Sequence, residues 1–299
     1  MNLQDSLLRR LSGLCLTDFP REIQIQTVSR CNAKCIFCPA STLPPEMPHG
    51  KMDEGLFKKI IDEAVDRRPS KIKPYLMNEP LVDKRLPAFI KYIDERRHSS
   101  TVIEIYTNGA LLDERMSEEL IESGLDRLIV SFQGVDPDAY EKTMVGLKYG
   151  EVLKNLENFI TIRERRNARR PYFEIRMVNT GFVQKEIDEH RKFWCDRGIK
   201  LVVKPLENRL NKSIEESQLN VRRWNPRSFC RRLFSYAWIL FNGDLILCCC
   251  DWERKHILGN VSRTTIANVW GGAKYKETRQ KFIKGRVNDI ICGFCKIDS

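Results

Sequence analysis

Apolar and polar positions follow two distinct periodicities, one typical of strands and one of helices, from about residue 20 to about residue 205. Short apolar runs rich in β-branched and aromatic residues predict six strands, at 22–28, 71–77, 102–106, 127–132, 172–178 and 200–204. The longer amphipathic stretches between them predict helices, at 54–67, 86–97, 113–123, 149–165 and 185–197. Six successive strand–helix units predict an α/β fold with a parallel sheet and right-handed crossovers. Six units, rather than eight, predict a partial barrel that is open along one side.

The pattern changes after residue 205, where a polar stretch at 206–228 predicts a linker or a loosely packed loop. Two apolar runs at 236–241 and 244–247 are joined by Asn242-Gly243, which is a strong signal for a β-hairpin. A helical pattern follows at 265–283. We therefore predict two domains, a partial (β/α)6 barrel at 1–205 and a small C-terminal extension at 206–299.

Composition narrows the classes of protein to which this chain can belong. Its 299 residues are 42% hydrophobic and 30% charged, which is usual for a soluble enzyme. No apolar run approaches the roughly 20 residues that span a bilayer, so we expect a cytoplasmic protein without a membrane partner. The net charge of +11 suits an acidic electron carrier or a phosphorylated substrate. Nucleic acid is not expected, because the basic runs at 163–170 and 222–232 contain few aromatic residues.

Eleven cysteines are many for a chain of this kind, and most of them fall into groups. In a reducing compartment such groups indicate metal ligands or reactive thiols rather than disulfides. Cys31, Cys35 and Cys38 follow the first predicted strand with C-x3-C-x2-C spacing. Three thiolates can hold three corners of a [4Fe–4S] cube and leave one iron open to another ligand. Zinc is the alternative metal, but only His49 is near enough in sequence to complete its four ligands.

This cysteine loop resembles that of the radical S-adenosylmethionine (SAM) superfamily. The resemblance implies a SAM molecule on the open iron and a 5′-deoxyadenosyl radical that removes a hydrogen atom from the substrate. It also implies SAM-binding roles for an aromatic residue before the third cysteine, for an Asn-Glu-Pro turn in place of a Gly-Glu-Pro turn, and for polar residues at strand ends. The residues at these positions are Phe37, Asn78, Glu79, Asn108, Ser131, Gln133 and Arg176.

A second cysteine set lies in the C-terminal extension and consists of Cys230, Cys248, Cys292 and Cys295. Four thiolates would fully ligate a second [4Fe–4S] cluster, or a structural zinc. The spacing resembles the SPASM/twitch extension of radical SAM enzymes, which implies an auxiliary cluster. Its glycine spacing selects Cys248 as the ligand, although Cys250 stays an alternative.

Cys249 alternates in direction with Cys248 in an extended segment, and its thiol could therefore return a hydrogen atom to a substrate radical. We accordingly expect epimerisation of a carbon in a sugar or aminoglycoside-like small molecule. The alternatives are a dehydrogenase that oxidises a secondary alcohol through the auxiliary cluster, and a peptide-modifying enzyme. A zinc-stapled binding module without enzymatic activity also stays open. A flavodoxin or ferredoxin would suit the basic chain as electron donor.

Overall fold

The computed structural model describes residues 3–44, 46–180, 183, 186–206 and 229–295. The strands within this part of the chain are β1 (Glu22–Ile25), β2 (Lys71–Lys73), β3 (Val102–Thr107), β4 (Arg127–Ser131), β5 (Tyr172–Asn179), β6 (Lys200–Pro205), β7 (Tyr236–Ile239), β8 (Asp244–Ile246) and β9 (Ile257–Asn260). The α-helices are α1 (Leu3–Gly13), α2 (Glu54–Asp66), α3 (Leu86–Asp94), α4 (Glu114–Glu122), α5 (Pro137–Thr143), α6 (Tyr149–Arg165), α7 (Ile187–Cys195), α8 (Arg232–Ser235), α9 (Ile266–Trp270) and α10 (Ala273–Ile283).

All of the described strands belong to one sheet, in the order β6-β5-β4-β3-β2-β1-β7-β8-β9. Strands β1 to β6 pair in parallel, as expected for strand–helix units. The extension joins on the other side of β1, where Glu22 pairs with Tyr236 and Ile25 with Ile239 in a parallel ladder. Strands β8 and β9 then continue the sheet in antiparallel fashion.

The helices cover the outer face of the sheet because each carries an apolar stripe at helical spacing. Helix α2 begins after Asp53, whose side chain accepts a hydrogen bond from the Leu56 amide at 2.9 Å. Its buried face presents Phe57 and Ile60 to the core that also contains Ile23 of β1. Full burial of such a side chain stabilises the fold by about 1.5–3 kcal/mol.

The inner faces of the strands are polar, in contrast to their outer faces. Glu104 of β3 and Glu174 of β5 are each only 2% exposed and point into the barrel. Glu104 pairs with Lys71 at 3.4 Å, and Glu174 accepts a hydrogen bond from Arg176 Nε at 2.6 Å. Arg127 links the two carboxylates, at 3.5 Å from Glu104 and 3.3 Å from Glu174. The barrel lumen thus holds a network of buried ion pairs.

The six parallel strands of the predicted α/β barrel and the hairpin around Asn242-Gly243 are confirmed. The second strand stops at Lys73 rather than at residue 77, because Pro74 has no N–H group to donate to the ladder. Beyond it, Met77 adopts a left-handed φ of 53° that no strand accommodates. The helix predicted at 265–283 is two helices, separated at Gly271-Gly272. Helices α1, α5 and α8 and strand β9 were not predicted. The predicted linker lies outside the described residues except for residue 206, and the domain boundary at 205 stays a prediction.

Candidate active site

The first cysteine loop follows β1 and is fixed to the segment after α5. The Lys34 amide donates to the Val145 carbonyl at 2.8 Å, and the Ile36 amide donates to the Thr143 carbonyl at 3.0 Å. Asn108, at the end of β3, donates from Nδ2 to Asn32 Oδ1 at 2.8 Å. These contacts hold the loop over the C-terminal ends of the parallel strands, where α/β folds bind their ligands.

The three thiols of this loop are suited to a cluster of iron rather than to a single zinc ion. The charges of Cys38 and Cys31 both act on Cys35, so the three side chains converge. Among the described residues, however, only the thiols of 248–250 form a group whose sulfur atoms all lie within 4.8 Å of one another. Zinc–sulfur bonds of about 2.3 Å would bring tetrahedral ligands to roughly 3.8 Å from one another. The wider spread of Cys31, Cys35 and Cys38 leaves room for a larger group.

Without metal, the thiols of Cys31 and Cys35 hold their protons. Desolvation raises the pKa of Cys31 to about 11, although part of the residue is exposed, and burial raises the pKa of Cys35 further. Iron would therefore have to displace these protons when it binds, because the thiolate is the ligand form.

The Asn78-Glu79-Pro80 turn lies between β2 and β3 and is built around a buried carboxylate. Glu79 is 2% exposed, and its Oε1 accepts hydrogen bonds from Thr107 Oγ1 at 2.6 Å and from the Leu81 amide at 3.1 Å. Its Oε2 accepts from the Asn108 amide at 2.7 Å. Burial outweighs these bonds and raises the pKa of Glu79 to about 7. The carboxylate thus ties the turn to the end of β3.

Two predicted SAM-binding side chains hold buried donors that lack a partner in the described residues. Asn78 Oδ1 accepts from the Leu76 amide at 2.8 Å, whereas Asn78 Nδ2 is buried without a hydrogen bond. Gln133 Oε1 likewise accepts from the Val178 amide at 3.1 Å, and Gln133 Nε2 is unpaired. An unpaired buried donor costs about 1–3 kcal/mol, and a polar ligand at these strand ends would remove that cost. The two amides therefore fit a ligand such as SAM.

The remaining predicted cofactor residues occupy different depths of the same end of the barrel. Ser131, the last residue of β4, pairs in register with Arg176 of β5. The Arg176 guanidinium bonds to Glu174 and lies 4.7 Å from the Tyr106 ring centroid, so it is held in the lumen. Phe37 is half-buried in the cysteine loop and packs against the core.

The second cysteine set forms two subgroups that pack on one apolar core. Burial, together with the charges of Cys230 and Cys295, raises the pKa of Cys292. These three residues therefore lie near one another, and the ligand set of four that includes Cys248 stays a prediction. Helix α1 closes the site from outside, because Ser12 Oγ accepts a hydrogen bond from the Cys230 amide at 3.0 Å.

Cys248, Cys249 and Cys250 follow β8, and their sulfur atoms all lie within 4.8 Å of one another. Hydrogen bonds with its two neighbours, which favour the protonated Cys248 thiol, raise the pKa of Cys248 together with burial. Cys249 is half-buried and lies 3.9 Å from Arg232 Nη1. The three thiols thus share one small space, and any of them that does not bind metal remains a potential hydrogen donor.

A small apolar cluster connects the two ends of the site. It is formed by Leu76, Trp238, Leu240 and Ile246, and it contacts Met77 on one side and Cys248 and Cys249 on the other. The turn that precedes Asn78 therefore packs on the same cluster as the C-terminal thiols. Sequence reasoning missed this connection, since it depends on the pairing of β7 with β1 across most of the chain.

Two arginines near the second cysteine set were also missed. Arg279 is 5% exposed, and its guanidinium lies 4.1 Å from the ring centroids of both Trp270 and Tyr275. Burial lowers the pKa of Arg279 to about 10. Arg9 of α1 is 6% exposed and donates to the Phe282 carbonyl at 3.4 Å. The signal in the sequence that could have identified these two arginines is a basic residue at a core-facing position of an amphipathic helix.

Comparison with known proteins identifies two family models in the chain. Residues 25–178 match the radical SAM superfamily, and residues 230–296 match SPASM, an iron–sulfur cluster-binding domain. A probable GTP 3′,8-cyclase from Methanococcus maripaludis is 33% identical over 143 residues, which cover 48% of this chain and 46% of the cyclase. The chain thus spans about half the length of these cyclases.

Other similarities extend over nearly the whole chain. An S-adenosyl-L-methionine-dependent 2-deoxy-scyllo-inosamine dehydrogenase from Niallia circulans is 22% identical over 275 residues, 91% of each protein. The crystal structure of BtrN with AdoMet and 2-DOIA has 19% identity and a TM-score of 0.61, covering 93% of this chain and 94% of BtrN. Streptococcus suis SuiB bound to precursor peptide SuiA has 18% identity and a TM-score of 0.71, covering 90% of this chain and 69% of SuiB. These structures share the fold.

No helix among the described residues is both long and apolar enough to cross a membrane. The cytoplasmic location inferred from the sequence stays a prediction.

Proposed function

The chain belongs to the radical SAM superfamily, and we propose that it oxidises a secondary alcohol of a small polar substrate to a ketone. It is an enzyme of this superfamily with a SPASM domain, and it uses [4Fe–4S] clusters and SAM. When bound, these groups supply a 5′-deoxyadenosyl radical that removes the carbinol hydrogen atom, and an auxiliary cluster that accepts one electron while the hydroxyl proton leaves. In balance, the substrate loses one hydrogen atom to the radical, one electron to the cluster and one proton.

The residues that would hold the first cluster are Cys31, Cys35 and Cys38, whose thiols converge above the strand ends. The unpaired amides of Asn78 and Gln133 would donate to SAM. Glu79 would position this site by fixing the turn, and the other proposed SAM contacts are those of Phe37, Asn108, Ser131 and Arg176.

The observation that carries the proposal is the shared apolar cluster between the Asn78 turn and the C-terminal thiols. It supports the proposal because Met77, next to the Asn78 turn, packs on the same cluster as Cys248 and Cys249, so a substrate between them could lose a hydrogen atom on one side and an electron on the other. We propose Cys230, Cys248, Cys292 and Cys295 as the auxiliary ligands. The full-length similarity to a dehydrogenase supports oxidation over epimerisation, and the cyclase similarity does not favour epimerisation either.

Arg176 is the member of the lumen network that lies nearest to the site. It pairs in register with Ser131 at the end of β4, whereas Lys71 and Arg127 begin β2 and β4 and lie at the opposite end of the barrel. The guanidinium of Arg176 can donate hydrogen bonds to hydroxyl or carboxylate oxygens of a polar ligand at this end.

The test is an anaerobic assay of the reconstituted enzyme with SAM, dithionite and a panel of cyclitols and sugars deuterated at the carbinol carbons. We expect deuterium in 5′-deoxyadenosine and a ketone product that has lost one deuterium from carbon and one hydrogen from the hydroxyl group. The Cys292→Ala variant should still form 5′-deoxyadenosine but lose the ketone. Cys195→Ala, at an exposed cysteine outside both sets, is the matched control and should behave as wild type. Ketone formation by Cys292→Ala at the wild-type rate would refute the transfer of an electron from the substrate to the auxiliary cluster.

Epimerisation is the second candidate, and the observation that favours it is the half-buried Cys249 thiol, 3.9 Å from Arg232. A thiol hydrogen returned to the carbon radical would give a product of unchanged mass that carries solvent deuterium from D2O. Cys249→Ala would then abolish the product. If oxidation is the reaction, the same variant should keep ketone formation.

A further inference from the structure

Helix α1 has two faces of very different character. Its inner face carries Arg9 and Ser12, three residues apart, which are 6% and 0% exposed. Ser12 Oγ accepts the hydrogen bond of the Cys230 amide, and Arg9 donates to the Phe282 carbonyl of α10. The positive charge of Arg9 also acts on Cys292. The helix is therefore the outer wall of the second cysteine set.

The outer face of α1 and the turn after it form an exposed apolar surface, which we call the leucine stripe. Its members are Leu3 (92% exposed), Leu7 (59%), Leu11 (40%), Leu14 (81%) and Leu16 (51%). Elsewhere in the described residues, large hydrophobic side chains exposed to this degree occur only singly, at Val145, Tyr172 and Ile257. A contiguous exposed apolar surface of this kind marks an interaction site.

The charge around the leucine stripe is basic. Arg10 is exposed and lies on the same helical face as Leu7 and Leu14, at spacings of three and four residues. Helix α10, which packs directly against α1, carries the exposed Lys274 and Lys276, and Lys284 follows its end; its exposed carboxylate, Glu277, is paired with Lys281. An acidic surface with an apolar centre would complement this arrangement.

We propose that the leucine stripe is the docking site of an acidic one-electron carrier protein that exchanges electrons with the auxiliary site. This inference rests on the proposed function, in which each turnover leaves one electron at that site. The electron leaves the auxiliary site, which is thereby oxidised, and reduces the carrier by one electron. An α-helix with its side chains is about 10–12 Å across, so a carrier on the outer face of α1 would be one helix diameter from Cys230 and Cys292.

Two other occupants are less well supported by the contacts of α1. A helix lying in a membrane interface keeps its polar face toward water. Here the face opposite the leucines is packed on α10, with Gly13 so close that a Cβ there would lie 3.4 Å from Ile283 Cδ1. A second copy of this basic chain would bring like charges, such as Arg10, toward each other.

The test measures binding of two acidic carriers, a plant-type [2Fe–2S] ferredoxin and a bacterial flavodoxin, to the reconstituted holoenzyme under anaerobic conditions by calorimetry. We expect the double variant Leu7→Ser/Leu14→Ser to raise the Kd for the carrier at least tenfold. Arg10→Glu should weaken binding in the same direction, as should added salt. Ile257→Ser is the matched control, at an exposed apolar residue outside the stripe, and should leave the Kd within twofold.

Equal binding of wild type and double variant, or no binding of either carrier by wild type, would overturn the proposal. So would a wild-type dimer that the double variant converts to monomers in sedimentation velocity, or binding to phosphatidylglycerol vesicles that only wild type shows. A first turnover driven by dithionite needs no carrier, because the auxiliary site can keep its one electron, so the 5′-deoxyadenosine and ketone formed in that turnover should be the same in all of these variants. Loss of the ketone in that assay would instead count against the proposed function.

Discussion

Replacement of Glu79 by glutamine should change how the stability of the protein depends on pH. The carboxylate is 2% exposed, and burial raises its pKa from 4.5 to about 7. A group whose pKa is raised on folding contributes stability that is complete below pH 4.5 and is lost as the pH rises through about 7. At about 1.4 kcal/mol per pH unit, the loss reaches about 3 kcal/mol above that pH. Most of this loss of stability occurs between pH 5 and pH 8.

Glu79→Gln removes this titration and adds a cost that does not depend on pH. The oxygen of the new side-chain amide can still accept hydrogen bonds, but its NH2 group cannot accept from the Asn108 amide, which costs about 1–3 kcal/mol. The variant should therefore be less stable than wild type at pH 5, and the gap should narrow by about 2–3 kcal/mol by pH 8. Free energies of unfolding from urea titrations of the reconstituted protein, followed by tryptophan fluorescence, measure this gap.

The matched control is Glu54→Gln, at an exposed carboxylate that pairs with Lys58 at 2.8 Å. Exposed pairs contribute at most about 1 kcal/mol, so this gap should be small and should stay constant from pH 5 to pH 8. If the gap between wild type and Glu79→Gln is equally constant, the carboxylate does not titrate in this range and the argument from burial is wrong.

Three further changes test the fold and the first cysteine loop. Gly124→Ala should lower the free energy of unfolding by at least about 2 kcal/mol, because φ is +85° and the added Cβ would clash with the Asp94 carboxyl group. Gly150→Ala is the matched control, with open space around it, and should be neutral or stabilising by about 0.5–1 kcal/mol in the same urea titration. Arg97→Met should cost about 1–3 kcal/mol by the same measurement, because Asp94 and Asp126 lose the hydrogen bonds of a buried guanidinium, while Asp126 keeps Arg170 at 2.9 Å. Cys31→Ala should abolish 5′-deoxyadenosine formation while iron analysis still finds the auxiliary cluster; full loss of iron would show that the two cysteine sets assemble together.

Local signals predicted the parts of the fold that depend on neighbours in sequence. Asn242-Gly243 forms its hairpin with Gly243 at a φ of +86°, because only the turn residues themselves determine that geometry. The pairing of β7 with β1 carries no such local signal. Met77 could not be foreseen either, since an apolar run gives no indication of a left-handed φ.

In the candidate site, too, the residues with a local sequence signal could be predicted and the others could not. Cys31, Cys35 and Cys38 were recognisable because their spacing in one loop is itself the chemical requirement. The alternating charges at Glu104, Glu174 and Arg176 indicate a polar strand face, but only barrel curvature turns that face into a buried lumen rather than a solvated surface. Sequence alternation distinguishes the two faces of a strand, not which of them meets water.

The parallel pairing of β1 with β7 can form only late in the synthesis of the chain. Residues 22–25 leave the ribosome early, yet their partners at 236–239 follow roughly 200 residues later, about 10–40 s at usual elongation rates. During that interval one side of β1 has unpaired backbone groups next to Ile23 and Ile25, and such an edge can recruit strands from other chains. Nascent or truncated chains that end before β7 should therefore aggregate and depend on chaperones. The extension protects the oldest strand of the barrel from misassembly, whatever else it contributes.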